Sequence, residues 1–166
     1  MTDRGADAAA PRRERGRIRG VRRVARTWAD RHAERMNIVT GYIPTPEGIA
    51  AVDYAIEQAR ATGSRLTVVN TGKNGDYSDP VFATAQDIDA LDSQLEVAGI
   101  EHEIVRPTEG GPAAASILSA AEKADADLIV IGIRRRSPVG KLITGSTAQA
   151  VLLGADCPVV AVKPAR

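Results

Sequence analysis

The stretch best suited to chemistry runs Gly132-Ile133-Arg134-Arg135-Arg136-Ser137-Pro138-Val139-Gly140-Lys141-Leu142-Ile143-Thr144-Gly145-Ser146-Thr147. Its residue types point to anion binding. Gly145 lacks the Cβ that would keep a ligand off the backbone. Ser146 and Thr147 bring hydroxyls and free N–H groups to the mouth of a helix, where the dipole favours negative charge. Arg134, Arg135, Arg136 and Lys141 add positive charge to the same loop. The plainer reading is a solvated basic loop ahead of an ordinary helix cap, because helices start this way with or without a ligand. These residues alone leave both readings open. Gly140-Lys141 is not the end of a P-loop: Arg135 stands where the first glycine is needed, and Leu142 where Ser or Thr is needed.

Other chemical constellations are thin. His32 and His102 have no ligand spacing around them, which argues against a protein-built zinc site. Asp76 and Asp79, in the Gly72–Pro80 loop, are the acids expected near the anion-binding loop. No Ser/His/Asp or Cys/His set accompanies them, so catalysis is not expected. The single cysteine, Cys157, cannot form an internal disulfide and suits a reducing, cytoplasmic compartment. It reads as a small core residue, and His102 as part of a sheet-edge strand.

The elements that must position the loop come from periodicity. Short β-branched runs at 37–42, 65–70, 101–106, 128–132 and 158–163 alternate with helical spacings. Ile49, Val52, Ile56 and Ala59 mark the first helix, and Ala85, Ile88, Leu91 and Leu95 the second. Ile117, Leu118 and Ala121 mark the third, and Ala148, Val151 and Leu152 the fourth. Thr45 is a good N-cap with Pro46 at the first helical position, and Gly111-Pro112 opens the third helix similarly. Gly63 and Gly99 fall just past helix ends, where a left-handed residue is wanted. Strands joined by helices pair in parallel through right-handed crossovers. The fold class is therefore α/β, an open doubly wound five-stranded parallel sheet with helices on both faces. In such sheets ligands bind beyond the carboxyl ends of the strands, where strand order reverses. Segments 41–45, 70–76 and 132–147 meet there.

Composition fits this architecture. Aromatics make up only 3%, so the core must be Val, Ile, Leu and Ala, as in a buried parallel sheet. No apolar run is long enough to span a membrane, and arginines interrupt any secretory segment. Charge is divided unevenly: residues 1–35 hold eleven arginines against five acids, whereas 36–166 hold eleven basic residues against sixteen acids. The chain thus divides into a basic extension, 1–35, and a domain, 36–166. The extension reads as a solvated, disordered tail, with Val21, Val24 and Trp28 offering a short helical stripe. Its interleaved acids and lack of an aromatic ladder weaken a role in nucleic-acid or lipid binding. Met36, just before the first strand, is a second candidate for the translation start; native peptides from residues 17–35 would exclude it.

Four segments carry a family signal: strand 38–42 with its turn, Asp127-Leu128-Ile129-Val130-Ile131-Gly132, Gly145-Ser146-Thr147-Ala148-Gln149-Ala150-Val151-Leu152, and Cys157-Pro158-Val159-Val160-Ala161-Val162. With these, residues 36–165 resemble the universal stress protein family. Its ATP-binding branch carries G-x2-G-x9-G-[S/T] on the fourth-strand loop. Gly132 matches the first glycine, and Gly145 with Ser146 the last pair. Arg135 replaces the middle glycine, with Gly140 nearby. Ile43 stands where ATP-binding members carry an acid after the first strand. Arg135 either pairs with phosphate as a charge-assisted donor or fills the site.

The resemblance implies strand order 3-2-1-4-5, a Rossmann-like sheet of the adenine nucleotide alpha hydrolase-like kind. It implies a homodimer paired through the last strand, 158–163. It further implies a cytoplasmic stress-response regulator that binds ATP, with or without Mg²⁺, cyclic AMP being the alternative, with little or no catalysis beyond slow ATP hydrolysis. Backbone groups around Gly41, Tyr42 and Thr71 would face the base, with Ile43 and Ile131 beside them. Gly132, Gly145, Ser146 and Thr147 would hold phosphate, and Arg134 and Arg135 would supply charge. Because of the two departures, a nucleotide-free homodimeric interaction module stands as the alternative. Protein partners are unspecified, and neither nucleic acid nor a membrane is expected.

Overall fold

The computed structural model describes residues 35–71, 83–107, 111–134 and 145–165. The basic extension up to residue 34, the 72–82 loop with Asp76 and Asp79, and Arg135, Arg136, Gly140 and Lys141 lie outside them.

Five strands and four helices alternate among the described residues: β1 (Asn37–Tyr42), α1 (Pro46–Thr62), β2 (Arg65–Asn70), α2 (Ala85–Val97), β3 (His102–Val105), α3 (Ala113–Lys123), β4 (Leu128–Gly132), α4 (Ser146–Gly154) and β5 (Val159–Val162). The strands form one sheet in the order β3-β2-β1-β4-β5, every neighbour parallel. Ile38 lies beside Leu66 on one side and Leu128 on the other, which places β1 at the centre. Strand order reverses between β1 and β4, the switch point of a doubly wound, Rossmann-like sheet. The two edge strands are a residue shorter at each end than periodicity indicates. β3 and β5 each have a neighbour on one side only, and Glu101 and Pro158 just ahead of them still accept from Leu66 N–H at 2.9 Å and Ile129 N–H at 3.0 Å.

Alternation along the strands builds two separate cores. Ile38, Leu66, Val68 and Val130 pack under α1 and α2 with Ala51, Ile56, Leu91 and Leu95. Val39, Val69, Ile129 and Ile131 pack under α3 and α4 with Ala114, Ile117 and Val151. The many helical alanines let the helices lie close to the sheet. Gly63 ends α1 at φ +65 and Gly99 follows α2 at φ +68, left-handed positions that favour glycine.

His102 lies on the edge strand β3. Its Nδ1 donates to the Ile100 carbonyl at 2.8 Å, and its Nε2 faces Asp92 Oδ1 on α2 at 2.8 Å. Burial alone would lower its pKa, but the Ile100 carbonyl and then Asp92 and Glu96 outweigh it and hold the imidazole above its ordinary value. Cys157 is half-buried against the α3–α4 core. No described helix is long and apolar enough to cross a membrane.

Candidate functional site

All four helices begin at the carboxyl edge of the sheet, and their first turns differ. At α1, Thr45 Oγ1 accepts from the Gly48 N–H at 3.3 Å, and Pro46 needs no acceptor. The turn before it is folded on itself: Thr45 N–H donates to the Ile43 carbonyl at 2.7 Å, and a Cβ at Gly48 would overlap that same carbonyl. At α2, Thr84 and Asp87 form a reciprocal capping box. At α3 and α4 the N-cap residues are Pro112 and Gly145, and neither helix has a side-chain cap.

The α4 terminus is one of these two uncapped starts. Its first intrahelical bond runs from Gln149 N–H to the Gly145 carbonyl at 3.0 Å, so the N–H groups ahead of Gln149 have no intrahelical acceptor. Among the described residues, a Cβ at Gly145 would meet nothing within 4 Å. Gly145 and Ser146 are exposed and Thr147 half-buried. N–H groups without an intrahelical acceptor, at the positive end of a helix dipole, suit an anion.

Gly132 has a different reason to be glycine. A Cβ there would overlap the carbonyl oxygen of Glu47, so the first turn of α1 closes directly onto the end of β4. The same Glu47 reaches across the switch point to the loop after β4: its Oε1 accepts from Arg134 Nε at 2.9 Å. The Glu47 side chain is only 16% exposed, that of Arg134 72%. Burial alone would raise the Glu47 pKa. The Arg134 hydrogen bond, its own backbone N–H, the Arg134 charge and Thr45 together outweigh burial and hold the carboxyl below its ordinary value.

The remaining candidates fall into place around this pair. Gly41 faces α3, where a Cβ would press on Ile117 Cδ1 at 2.6 Å. The Tyr42 carbonyl accepts from Thr71 N–H at 3.0 Å and from Thr71 Oγ1 at 3.5 Å, so these two residues satisfy one another. The Tyr42 ring is buried under α1 and α2; burial first, then the Asp87 charge, raises its hydroxyl pKa. The Ile43 carbonyl closes the turn onto Thr45, and Ile131 is core. Beside Tyr42 in register, Asn70 is fully buried, and neither of its side-chain polar atoms is bonded among the described residues. A buried amide left in this state costs about 1–3 kcal/mol, which a polar partner at this edge would offset.

The structure therefore brings Gly132 and Arg134 together with Glu47, on the α1 side, while Gly145, Ser146 and Thr147 open on the α4 side. Arg135 lies outside the described residues. Glu47 is the residue that sequence reasoning missed. In Thr45-Pro46-Glu47 it reads as an ordinary first-turn acid favoured by the helix dipole. Nothing in the spacing shows that Arg134, far along the chain, will reach it.

The family description "Universal stress protein family" matches residues 34–163. The chain belongs to the universal stress protein family. A universal stress protein of Mycolicibacterium smegmatis is 42% identical over 127 residues, covering 76% of this chain and 97% of its own length. Among solved structures, a universal stress protein from Archaeoglobus fulgidus superposes with a TM-score of 0.61 at 31% identity, over 77% of this chain and 98% of its own. A second one from that organism, solved in complex with dAMP, matches at a TM-score of 0.54 and 24% identity, over 77% and 97% of the two chains. Other solved proteins of this fold are complexes with cAMP and with AMP.

Proposed function

We propose that this universal stress protein is a cytoplasmic stress-response regulator that binds an adenine nucleotide, ATP foremost, at the carboxyl end of the sheet. The observation that carries the reading is the uncapped α4 terminus, where no described residue lies within 4 Å of a Cβ at Gly145. Gly145, Ser146 and Thr147 would receive phosphate through backbone N–H and hydroxyl donors. Relatives of the same fold that hold dAMP, cAMP and AMP support an adenine nucleotide as the class of ligand. ATP, with or without Mg²⁺, would bring its phosphate charge to those donors. The chain's part is recognition with little or no turnover, since the sequence carries no Ser/His/Asp or Cys/His set.

The regulator acts as a homodimer joined through strand 158–163. β5 is an apolar edge strand, and Leu153 on the neighbouring α4 is 81% exposed. Sedimentation of the intact chain should give a dimer; a monomer at micromolar concentration would end that part of the reading.

Calorimetric titration of the full chain with ATP, ADP, AMP and cyclic AMP, with and without Mg²⁺, tests the ligand. Micromolar binding is expected, and Gly145→Val should abolish it while leaving the melting temperature unchanged. Affinity that survives in Gly145→Val would remove the site assignment. Absence of heat at millimolar ligand would favour the nucleotide-free interaction module, the reading consistent with Ile43 at the first turn and with Arg134 tied to Glu47.

A further inference from the structure

We propose that the groove between β3 and α3 is a second anion site, which takes a linear chain of phosphates independently of the nucleotide. The groove has a volume of about 730 Å³ and lies on the face of β2 and β3 opposite α1 and α2. Alternation puts Leu66, Val68 and Ile104 under those two helices, so Arg65, Thr67, Glu103 and Val105 point the other way and form the floor. The wall is the side of α3 that carries Ser116, Ser119, Ala120 and Lys123, spaced as one helical face. The switch point lies between β1 and β4, on the far side of β2, so this groove is a separate place.

Charge sets the groove apart from the rest of the domain. Residues 36–166 hold sixteen acids against eleven basic residues, yet the groove is lined by three cations, Arg65, Arg106 and Lys123, and one acid, Glu103. Among the described residues, neither Arg106 nor Lys123 has an ion-pair partner. Arg65 stands 3.9 Å from Glu101 and 3.8 Å from Glu103, longer than hydrogen bonds, and Arg35 already holds Glu101 at 2.6 Å. The Ser116 and Ser119 hydroxyls and the uncapped start of α3 beside Gly111 add donors. Donors therefore outnumber acceptors, which suits a ligand made almost wholly of acceptors.

Position sets the ligand's length. Arg106 follows β3 at the carboxyl edge, whereas Arg65 opens β2 and Lys123 closes α3 at the amino edge. Along the wall, Ala115 to Lys123 is a helical rise of about 12 Å. One phosphate cannot meet both ends, but a chain of them can, with an arginine fork available at each end and the lysine as a point charge. No aromatic ring lines the groove for a base to stack on, which favours a bare phosphate chain over a nucleic-acid strand.

Calorimetry on the full chain with inorganic phosphate, pyrophosphate, tripolyphosphate and a longer linear polyphosphate tests the inference. Affinity should rise along the series. Arg106→Gln and Lys123→Gln, both at exposed positions, should each weaken the longest chain about tenfold, the loss of a hydrogen bond to a charged group. Arg60→Gln, an exposed cation on α1, and Gly145→Val should leave that affinity unchanged. AMP should bind Arg106→Gln as it binds the wild type. No heat with any chain, affinity that does not grow with length, or unchanged affinity in both groove variants would overturn the inference. So would an equal loss in Arg60→Gln, the mark of net charge alone, or a loss in Gly145→Val, which would move the phosphates to α4. A single-stranded oligothymidylate that displaces the polyphosphate and binds more tightly would overturn it in favour of a nucleic acid. Failure of AMP to bind would remove only the nucleotide reading, and failure of polyphosphate only this one.

Discussion

The two faces of the sheet treat their helix starts in opposite ways. Under one face, α1 and α2 begin at Thr45 and Thr84, whose side chains close the first turn, and Glu47 clamps α1 onto the end of β4. Under the other, α3 and α4 begin at Pro112 and Gly145 with no side-chain cap. The same fold position is thus finished on one side by the protein and left unfinished on the other. Closed termini hold the architecture, and the uncapped ones keep N–H groups without an intrahelical acceptor. Two glycines of the family signature sit on opposite sides of this division. Gly132 is small because backbone lies against it, and Gly145 is small where no described residue does.

Substituting these two glycines should break the comparison most visibly. Gly132→Ala must push α1 off β4, and the expected loss is about 3 kcal/mol of unfolding free energy, read by urea denaturation. Gly145→Val should cost at most about 0.5 kcal/mol in the same experiment, its effect falling on nucleotide affinity instead. Equal stability losses would mean that the two positions do not differ as described. The caps provide a smaller contrast. Thr45→Ala and Thr84→Ala should each cost about 1 kcal/mol, whereas Ser146→Ala, in the uncapped first turn of α4, should leave stability nearly unchanged.

The smallest effect concerns the closed face alone, where His102 ties β3 to α2 through Asp92. Because the folded state holds this imidazole above its ordinary pKa of 6.5, its contribution is fully present below that value. It is lost as pH rises through the raised one. Stability of the wild type should therefore decline slightly across neutral pH, and Asp92→Asn should flatten that decline. A wild-type profile with no slope there would contradict the assigned pairing.

Much of this molecule is legible from local pattern. Thr45-Pro46 announces a helix start, Gly63 and Gly99 announce helix ends, and each requirement is met by neighbours in the chain. The helix start at Gly145-Ser146-Thr147 was legible for the same reason, since a helix terminus carries its donors and dipole with it. The roles of Gly132, Glu47 and Arg134 were not. Gly132 matches a signature glycine, yet its contact is with the backbone of Glu47, which is distant in sequence. Arg134 reads as one more cation in a basic run until its partner is seen.

The sequence by itself determined the periods of strands and helices, the alternation that makes the sheet parallel, and the chemistry available at its carboxyl edge. All of these follow from bonding and sterics within a few residues. Only the tertiary structure decided which arginine is neutralised, which glycine is pressed by backbone and which has no described residue against it. Those outcomes depend on where segments far apart in the chain come to rest against one another, and no local preference encodes that distance.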